Sequence, residues 1–349
     1  MKRVLVTGAG GYIGTTLVPM LLNRGYAVRA LDRFFFGAEL LQEFPRLEKV
    51  NADTRRLTIE HFRDVDYVID LVALSNDPSG ERFEAATWDI NHKSRAECAR
   101  LAKMAGVKRY VLPSSCSIYG FQDPQLRCDE TFEVNPLTTY AKANLAAEQD
   151  VLPLADDGFC VVVLRQATVY GYSPRMRFDL AINGMTYGAW KTGVLPLMRD
   201  GSQWRPMVHV VDTARAQIFM LEAPQDLVNG ERFNVGSEAN NYQLGPLAET
   251  VAQAVPRDVK IDWYGDADHR SYRVAFDKIE KVGWKAERTA VDGVSEIVAK
   301  LERGELDMTT KTLTLDWYEA LIRWQRIVQA TALDGAMIDL PAKRYQAAG

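Results

Sequence analysis

Three glycines and an acid mark the first place where this chain could do chemistry. Gly8, Gly11 and Gly14 follow the apolar run Val4, Leu5, Val6 and open a stretch with helical character that reaches about Asn23. A second apolar run, Ala27 to Leu31, ends on Asp32. Glycine permits a tight turn and lets backbone N–H groups approach a pyrophosphate, with the positive end of a helix dipole facing the anion. The spacing is G-x-x-G-x-x-G, not the commoner G-x-G-x-x-G. Its context (strand, glycine turn, helix, second strand, carboxylate) is nevertheless that of a dinucleotide site, and a glycine-rich turn without a ligand is the blander alternative. The Asp32 carboxylate can accept from both ribose hydroxyls and would repel a 2′-phosphate, so NAD is expected rather than NADP, although Arg33 follows it.

Two hydroxyls form the second candidate set. Ser115 ends a predicted strand within PSSCSIYG, and Tyr140 opens a predicted helix within YAKAN. Hydride transfer from an alcohol carbon to a nicotinamide needs a base for the hydroxyl proton. A phenol with a pKa of about 10 does that poorly unless positive charge lies close. A third set is cationic: Arg175, Arg177 and Arg205 flank an irregular stretch, and Arg270 and Arg273 lie further on. Guanidinium forks suit phosphate oxygens, as they also suit ordinary surface ion pairs. The cysteines Cys98, Cys116, Cys128 and Cys160 show no metal-like spacing, and the histidines are scattered, so no metal site is expected.

These residues must be positioned by alternating strands and helices. Further strands are predicted at Arg46–Ala52, Tyr67–Leu71, Lys108–Leu112 and Val161–Arg165, with helices at Ala85–Ala105 and Thr139–Leu152. The βαβα order predicts an α/β fold, a Rossmann-type doubly wound parallel sheet. After Gly171 the pattern loses its alternation. It returns to strand character at Pro206–Val210 and Phe233–Val235, with helices predicted at Asp212–Leu221 and Pro246–Val255 and from Lys278 onward. The expected division is a dinucleotide-binding domain over 1–171 with sheet elements from about 206–236. A smaller, mixed C-terminal substrate lobe covers 172–205 and 237–333, with a tail over 334–349.

The chain has 349 residues, 47% hydrophobic and 25% charged, which is ordinary for a globular protein large enough to bury a sizeable core. A net charge of −4 gives no reason to expect nucleic acid or an anionic membrane surface. No apolar run approaches the roughly 20 residues that cross a bilayer. The first strand starts at once, leaving no room for a signal peptide, so a cytoplasmic protein with reduced thiols is expected.

TGAGGYIG, Asp32, Asp53, SSCSIYG, the Tyr140 helix, LRQATVYG and RPMVHVVD together resemble the extended short-chain dehydrogenase/reductase superfamily, of the NAD-dependent nucleotide-sugar epimerase/dehydratase type. The resemblance runs from residue 3 to about 236, with a weaker echo at DHRSYRVAFDKIEKVGW. It implies an NAD enzyme acting on a nucleotide-diphosphate sugar, with Tyr140 as base and Ser115 hydrogen-bonding the same substrate oxygen. The cofactor would meet Gly8, Gly11, Tyr12, Ile13, Gly14, Asp32, Arg33, Thr54, Tyr140 and Asn144. Asp53 would accept from the adenine amino group, and Leu71, Val72 and Ala73 would line the ribose side through their backbone. Asn91, in a helix that supports the sheet, would touch NAD or bridge the backbones of two strands. Ser75, Ser117, Thr168, Arg175, Asn183, Arg205 and Arg270 would hold the sugar nucleotide, Arg205 and Arg270 at its diphosphate. A homodimer through the helices Ala85–Ala105 and Thr139–Leu152 is a further implication.

Two departures from the family pattern bear on the chemistry. The lysine expected four residues after the tyrosine is Asn144, and Lys142 is turned about 200° away from Tyr140 on a helix. Either the tyrosine works with less acidification, or another cation takes the place, or binding persists without catalysis. The acidic pair that 4,6-dehydratases usually carry after the hydroxyl residue is Cys116 and Ser117, neither a good neutral-pH acid, which favours epimerisation or simple oxidation–reduction over dehydration.

Overall fold

The structure is a computed structural model that describes residues 1–332 apart from 124, 199 and 267–269. The expected tail, 334–349, lies outside the described residues. The first half of the chain alternates β1 (Arg3–Thr7), α1 (Gly14–Asn23), β2 (Ala27–Asp32), β3 (Leu47–Asn51), β4 (Tyr67–Asp70), α2 (Asp77–Arg82), α3 (Glu84–Thr87), α4 (Arg95–Met104), β5 (Arg109–Ser115), β6 (Arg127–Cys128), α5 (Thr139–Val151), β7 (Cys160–Gln166) and β8 (Thr168–Tyr170). The second half adds α6 (Ala181–Thr192), β9 (Val194–Met198), β10 (Trp204–His209), α7 (Val210–Glu222), α8 (Gln225–Val228), β11 (Glu231–Val235), β12 (Asn241–Gln243), α9 (Leu244–Ala254), β13 (Lys260–Tyr264), β14 (Arg273–Val274), α10 (Asp277–Lys281), α11 (Ala290–Glu302) and α12 (Thr314–Thr331).

The large sheet has seven strands in the order β11-β7-β5-β4-β1-β2-β3, all parallel, which is the doubly wound arrangement the alternation predicts. Its central strands read as unbroken apolar runs because helices cover both faces. Leu17 and Leu21 of α1 and Met220 of α7 pack on one face, while Cys98, Ala99 and Ala102 of α4 and Val151 of α5 pack on the other. Each such leucine is fully buried, contributing about 1.5–3 kcal/mol relative to exposure. The order reverses between β1 and β4, and the loops after these two strands form the crevice where such sheets bind ligands.

Two details differ from the sequence reading. Of the sheet elements expected over 206–236, only β11 joins the large sheet; β10 pairs with β8 and β12 in a separate three-stranded sheet beside the crevice. The helix expected at Ala85–Ala105 is interrupted by a π-helical stretch, Trp88–Ser94. That wider turn aims Asn91 at the loop after β4, where its Oδ1 accepts from Leu74 N at 2.8 Å and its Nδ2 donates to Leu74 O at 3.0 Å. Asn91 therefore braces this loop and bridges no pair of strands among the described residues. In the second half, Ile182, Leu195, Leu247, Val251 and Val294 form a lobe core of their own.

Candidate active site

One cavity of about 620 Å³ runs from the glycine turn to the arginines of the second half. It is lined at one end by Gly8, Gly11, Tyr12, Ile13, Gly14, Asp32, Arg33, Asp53, Thr54, Leu71, Val72 and Ala73, all expected at a cofactor. Ser115, Tyr140, Ser75, Ser117, Thr168, Arg205 and Arg270 line it further along.

The glycine turn is shaped by backbone crowding. Gly8 has φ +63°, and a Cβ there would stand 2.8 Å from the backbone of Leu71, so any side chain would push β1 away from the loop after β4. A Cβ on Gly14 would run into the carbonyl oxygens of Ala9 and Gly8. The crowding leaves the first turn of α1 bare, which is the surface a pyrophosphate needs. Asp32 fixes the rim by accepting from Gly10 N at 3.0 Å and Phe34 N at 2.6 Å, and burial raises its carboxyl above the ordinary range. Arg33 turns to Asp53 at 2.8 Å rather than across the ribose side of Asp32. A 2′-phosphate would have to break that pair, which agrees with NAD.

At the reactive end Ser115 caps the turn after β5, accepting from Ser117 N at 3.1 Å, and Tyr140 stands in the first turn of α5 on the same cavity wall. Burial raises the Tyr140 phenol above its ordinary range, Asp77 raises it further, and Arg95, Arg177 and Ser115 pull it down. The hydroxyls of Ser114 and Ser117 are buried and have no hydrogen-bond partner among the described residues, yet both residues line the cavity. Buried hydroxyls without partners are costly unless a ligand satisfies them. Arg205 packs its guanidinium over the Tyr272 ring at 5.7 Å and reaches the carbonyl of Arg270, and Arg270 in turn pairs with Asp77. Ser75 Oγ accepts from Arg177, whose fork closes on Asp179 at 2.7 Å.

Four expected residues stand differently. Asn144 does not line the cavity: its Nδ2 donates to the Tyr140 carbonyl at 2.8 Å and its Oδ1 accepts from Arg95 Nη1 at 2.9 Å, because the short amide turns back on its own helix instead of reaching outward as a lysine would. Asn183 is also off the cavity. Its amide joins Gly171 N, the Tyr12 hydroxyl and the Arg177 carbonyl, all within 3.0 Å, so it brackets three segments rather than facing a diphosphate. Asp53 lines the cavity, but Arg55 and Arg33 occupy its carboxylate and hold it well below the usual range, so it is not free to receive an adenine amino group.

The fourth is Arg175. It lies at the cofactor end, because the chain after Gly171 folds onto α1: Ser173 Oγ donates to Tyr12 O at 2.7 Å, and Arg175 N donates to Thr15 Oγ1 at 3.3 Å. Its guanidinium stacks on Phe36 at 3.7 Å, and its Nε and Nη1 are buried with no partner among the described residues. Burial and neighbouring Arg177 pull its pKa below the usual arginine range, the mark of a cation short of an anion. A pyrophosphate on the glycine turn fits that need.

Other residues take supporting places. Burial pushes the Cys116 thiol well up, so it serves neither as acid nor as base. His209 pairs with Glu296 at 3.0 Å, and Asp212 accepts from Glu287 N and Arg288 N, both as braces. Arg273 packs over Trp204 and pairs with Glu238. No group of three or more metal-ligating side chains occurs among the described residues. The sequence reading placed no part of α12 at the site, yet this helix lines the cavity through Thr314 to Asp316 and Tyr318. It also missed Arg95, Asp77 and Ser114; only the doubled serine of PSSC hinted at the last.

The description of the NAD dependent epimerase/dehydratase family matches residues 4–236, well over half of the chain, and the chain belongs to that family. It is 28% identical over 313 residues to the UDP-glucose 4-epimerase of Mycolicibacterium smegmatis, covering 85% of this chain and 97% of that one. It is 25% identical over 317 residues to the UDP-glucuronate 4-epimerase of Thermodesulfobacterium geofontis, covering 85% and 95%. Among solved structures, MoeE5 in complex with UDP-glucose and NAD superposes with a TM-score of 0.76 at 26% identity, covering 87% of this chain and all of that one.

Proposed function

We propose that the chain is an NAD-dependent 4-epimerase of a UDP-sugar. The observation that carries this reading is that Ser115 and Tyr140 line the same cavity as the bare glycine turn. The relatives' activities and the absence of an acidic pair after Ser115 support it.

NAD, when bound, would supply the acceptor for a hydride from the sugar C4 and its source on return. The chain's residues do the rest. The Tyr140 oxygen takes the C4 hydroxyl proton while Ser115 Oγ hydrogen-bonds the same substrate oxygen, whose freed electron pair forms the C4=O bond as the C4 hydride departs. After the keto sugar has turned over, Tyr140 gives the proton back to the oxygen on the new face. Arg205 and Arg270 anchor the diphosphate, so the sugar swings about a fixed point. Ser114, Ser117, Ser75 and Thr168 offer hydroxyls to either sugar orientation. Gly8, Gly14 and Arg175 hold the cofactor pyrophosphate, and Asp32 its adenosine ribose.

The large sheet with 1–171 grips the dinucleotide in this reading, and the lobe of 172–205 and 237 onward covers the sugar nucleotide. The helical stretches 84–104 and 139–151, linked by the His92–Asp150 pair at 2.8 Å, are the proposed homodimer surface. No described helix is long and apolar enough to cross a membrane. The test is incubation of the purified protein with UDP-glucose and UDP-glucuronate, followed by separation of C4 epimers. Interconversion of at least one sugar, lost in Tyr140→Phe, supports the reading, and no interconversion of either sugar with NAD bound overturns it.

A further inference from the structure

Tyr140 sits where burial and the Asp77 carboxylate both oppose its ionisation. A phenol so placed acts as a base only with positive charge close by. The residue one helical turn along α5 is Asn144, which is neutral, and Lys142 is exposed on another face. The amide of Asn144 instead links two helices, holding the Tyr140 carbonyl on one side and Arg95 Nη1 on the other. Arg95 opens α4 and is 1% exposed. Its Nη2 donates to the carbonyls of Asp70 and Pro113, the C-terminal ends of β4 and β5, which border the crevice.

We propose that Arg95, docked on Asn144, is the residue that supplies positive charge to Tyr140, so that the reactive pair is completed across two helices instead of along one. The inference rests on the reading of Tyr140 as the base. The way Arg95 is held separates this role from that of a buried ion pair alone. Asp70 already accepts from Thr7 Oγ1 and from the Tyr110 hydroxyl at 2.5 Å. Arg95 meets the Asp70 carboxylate only through Nε at 3.4 Å and sends Nη1 toward α5. The guanidinium is thus turned from its counter-ion toward the helix of Tyr140.

Of the other charged groups around Tyr140, Arg177 also lowers the phenol, but less than Arg95 and while paired with an acid. Asp77 of α2 is paired with Arg270, Glu81 accepts from Thr139 N, and Arg177 closes its fork on Asp179. Arg95 is a positioning residue, since it touches neither substrate nor cofactor.

The experiment titrates Tyr140 directly in the NAD-bound protein, as the tyrosinate absorbance difference between each protein and the same protein carrying Tyr140→Phe. The pH profile of epimerisation is recorded in parallel. Arg95→Met is expected to raise the Tyr140 midpoint by about one unit or more and to move the acid limb of the rate profile with it. Arg95→Met combined with Asn144→Lys is expected to bring both back. Should Arg95→Met fail to fold, the pair Asp70→Asn with Arg95→Gln removes both buried charges without stranding either, and the same rise is expected. An unchanged midpoint in the folded variants overturns the inference. A wild-type protein that turns over neither sugar overturns the function reading instead, and the absorbance titration still decides on Arg95.

Discussion

A tyrosine that shares a cavity with a serine at the mouth of a parallel sheet has one proton to move, and its replacement should be felt in the rate more than in binding. Tyr140→Phe is expected to lower kcat by about 10²- to 10⁴-fold while NAD stays bound, measured by turnover and by cofactor released on denaturation. Arg175 is the opposite case. Its unpartnered Nε and Nη1 face the cofactor end, so Arg175→Met is expected to weaken NAD binding by about tenfold or more, read by titration calorimetry, with little change in kcat at saturating cofactor. Arg95→Met should also cost about 3–5 kcal/mol of stability, because Asp70 is left charged and buried, and denaturant unfolding measures it. Ser115 and Tyr140 were legible in the sequence because each sits at an element boundary with a strong local signature. Arg95 was not, since nothing in a helix sequence says which buried cation will meet an amide 49 positions away. The partners of Asn183 and Arg175 were not legible, because spacing fixes a residue's element and not the direction of its side chain.

At the scale of elements, α12 was read as a helix but its destination was hidden. Its partners are more than 230 residues distant: Trp317 Nε1 donates to Phe35 O at 2.8 Å, and Tyr318 meets the rings of Phe35, Phe36 and Phe83. Such a contact leaves no periodic trace in either segment. It lays α12 over the rim after β2, the side of the cavity where the cofactor ribose is expected. Trp317→Ala with Tyr318→Ala is therefore expected to speed NAD dissociation several-fold in stopped-flow displacement, while the unfolding midpoint of the sheet changes less than the off-rate. Equal loss of both would make α12 a plain packing element. The π-helical turn at Trp88–Ser94 was equally invisible, as one additional residue per turn is a tertiary demand, here the seating of Asn91 on Leu74.

The whole molecule was the most legible level, because the alternation of apolar runs and helices leaves few ways to lay down seven parallel strands. What it did not disclose was the separate small sheet around β10. The charge network predicts the acid response of the molecule. Asp53 lies well below the usual range, Asp179 is at about 2, and Glu296 is lowered. Carboxyls lowered on folding contribute stability that is fully present above their unfolded pKa of about 4 and is lost as pH falls through the folded values. The thermal midpoint is therefore expected to fall steadily below about pH 4. Asp32, raised by burial, works the other way and favours the folded state when protonated, so apo protein should lose less on acidification than this set alone implies.

The central claim is that a hydride leaves C4 of a UDP-sugar and returns to its other face without reaching solvent. Proton NMR of UDP-glucose and UDP-glucuronate incubated with the protein in D₂O tests it most directly. The account predicts the C4 epimer with protium retained at C4 and at C5, and no accumulation of reduced cofactor. Deuterium at C5 with loss of water, or a sugar left unchanged by protein with NAD bound, would contradict it.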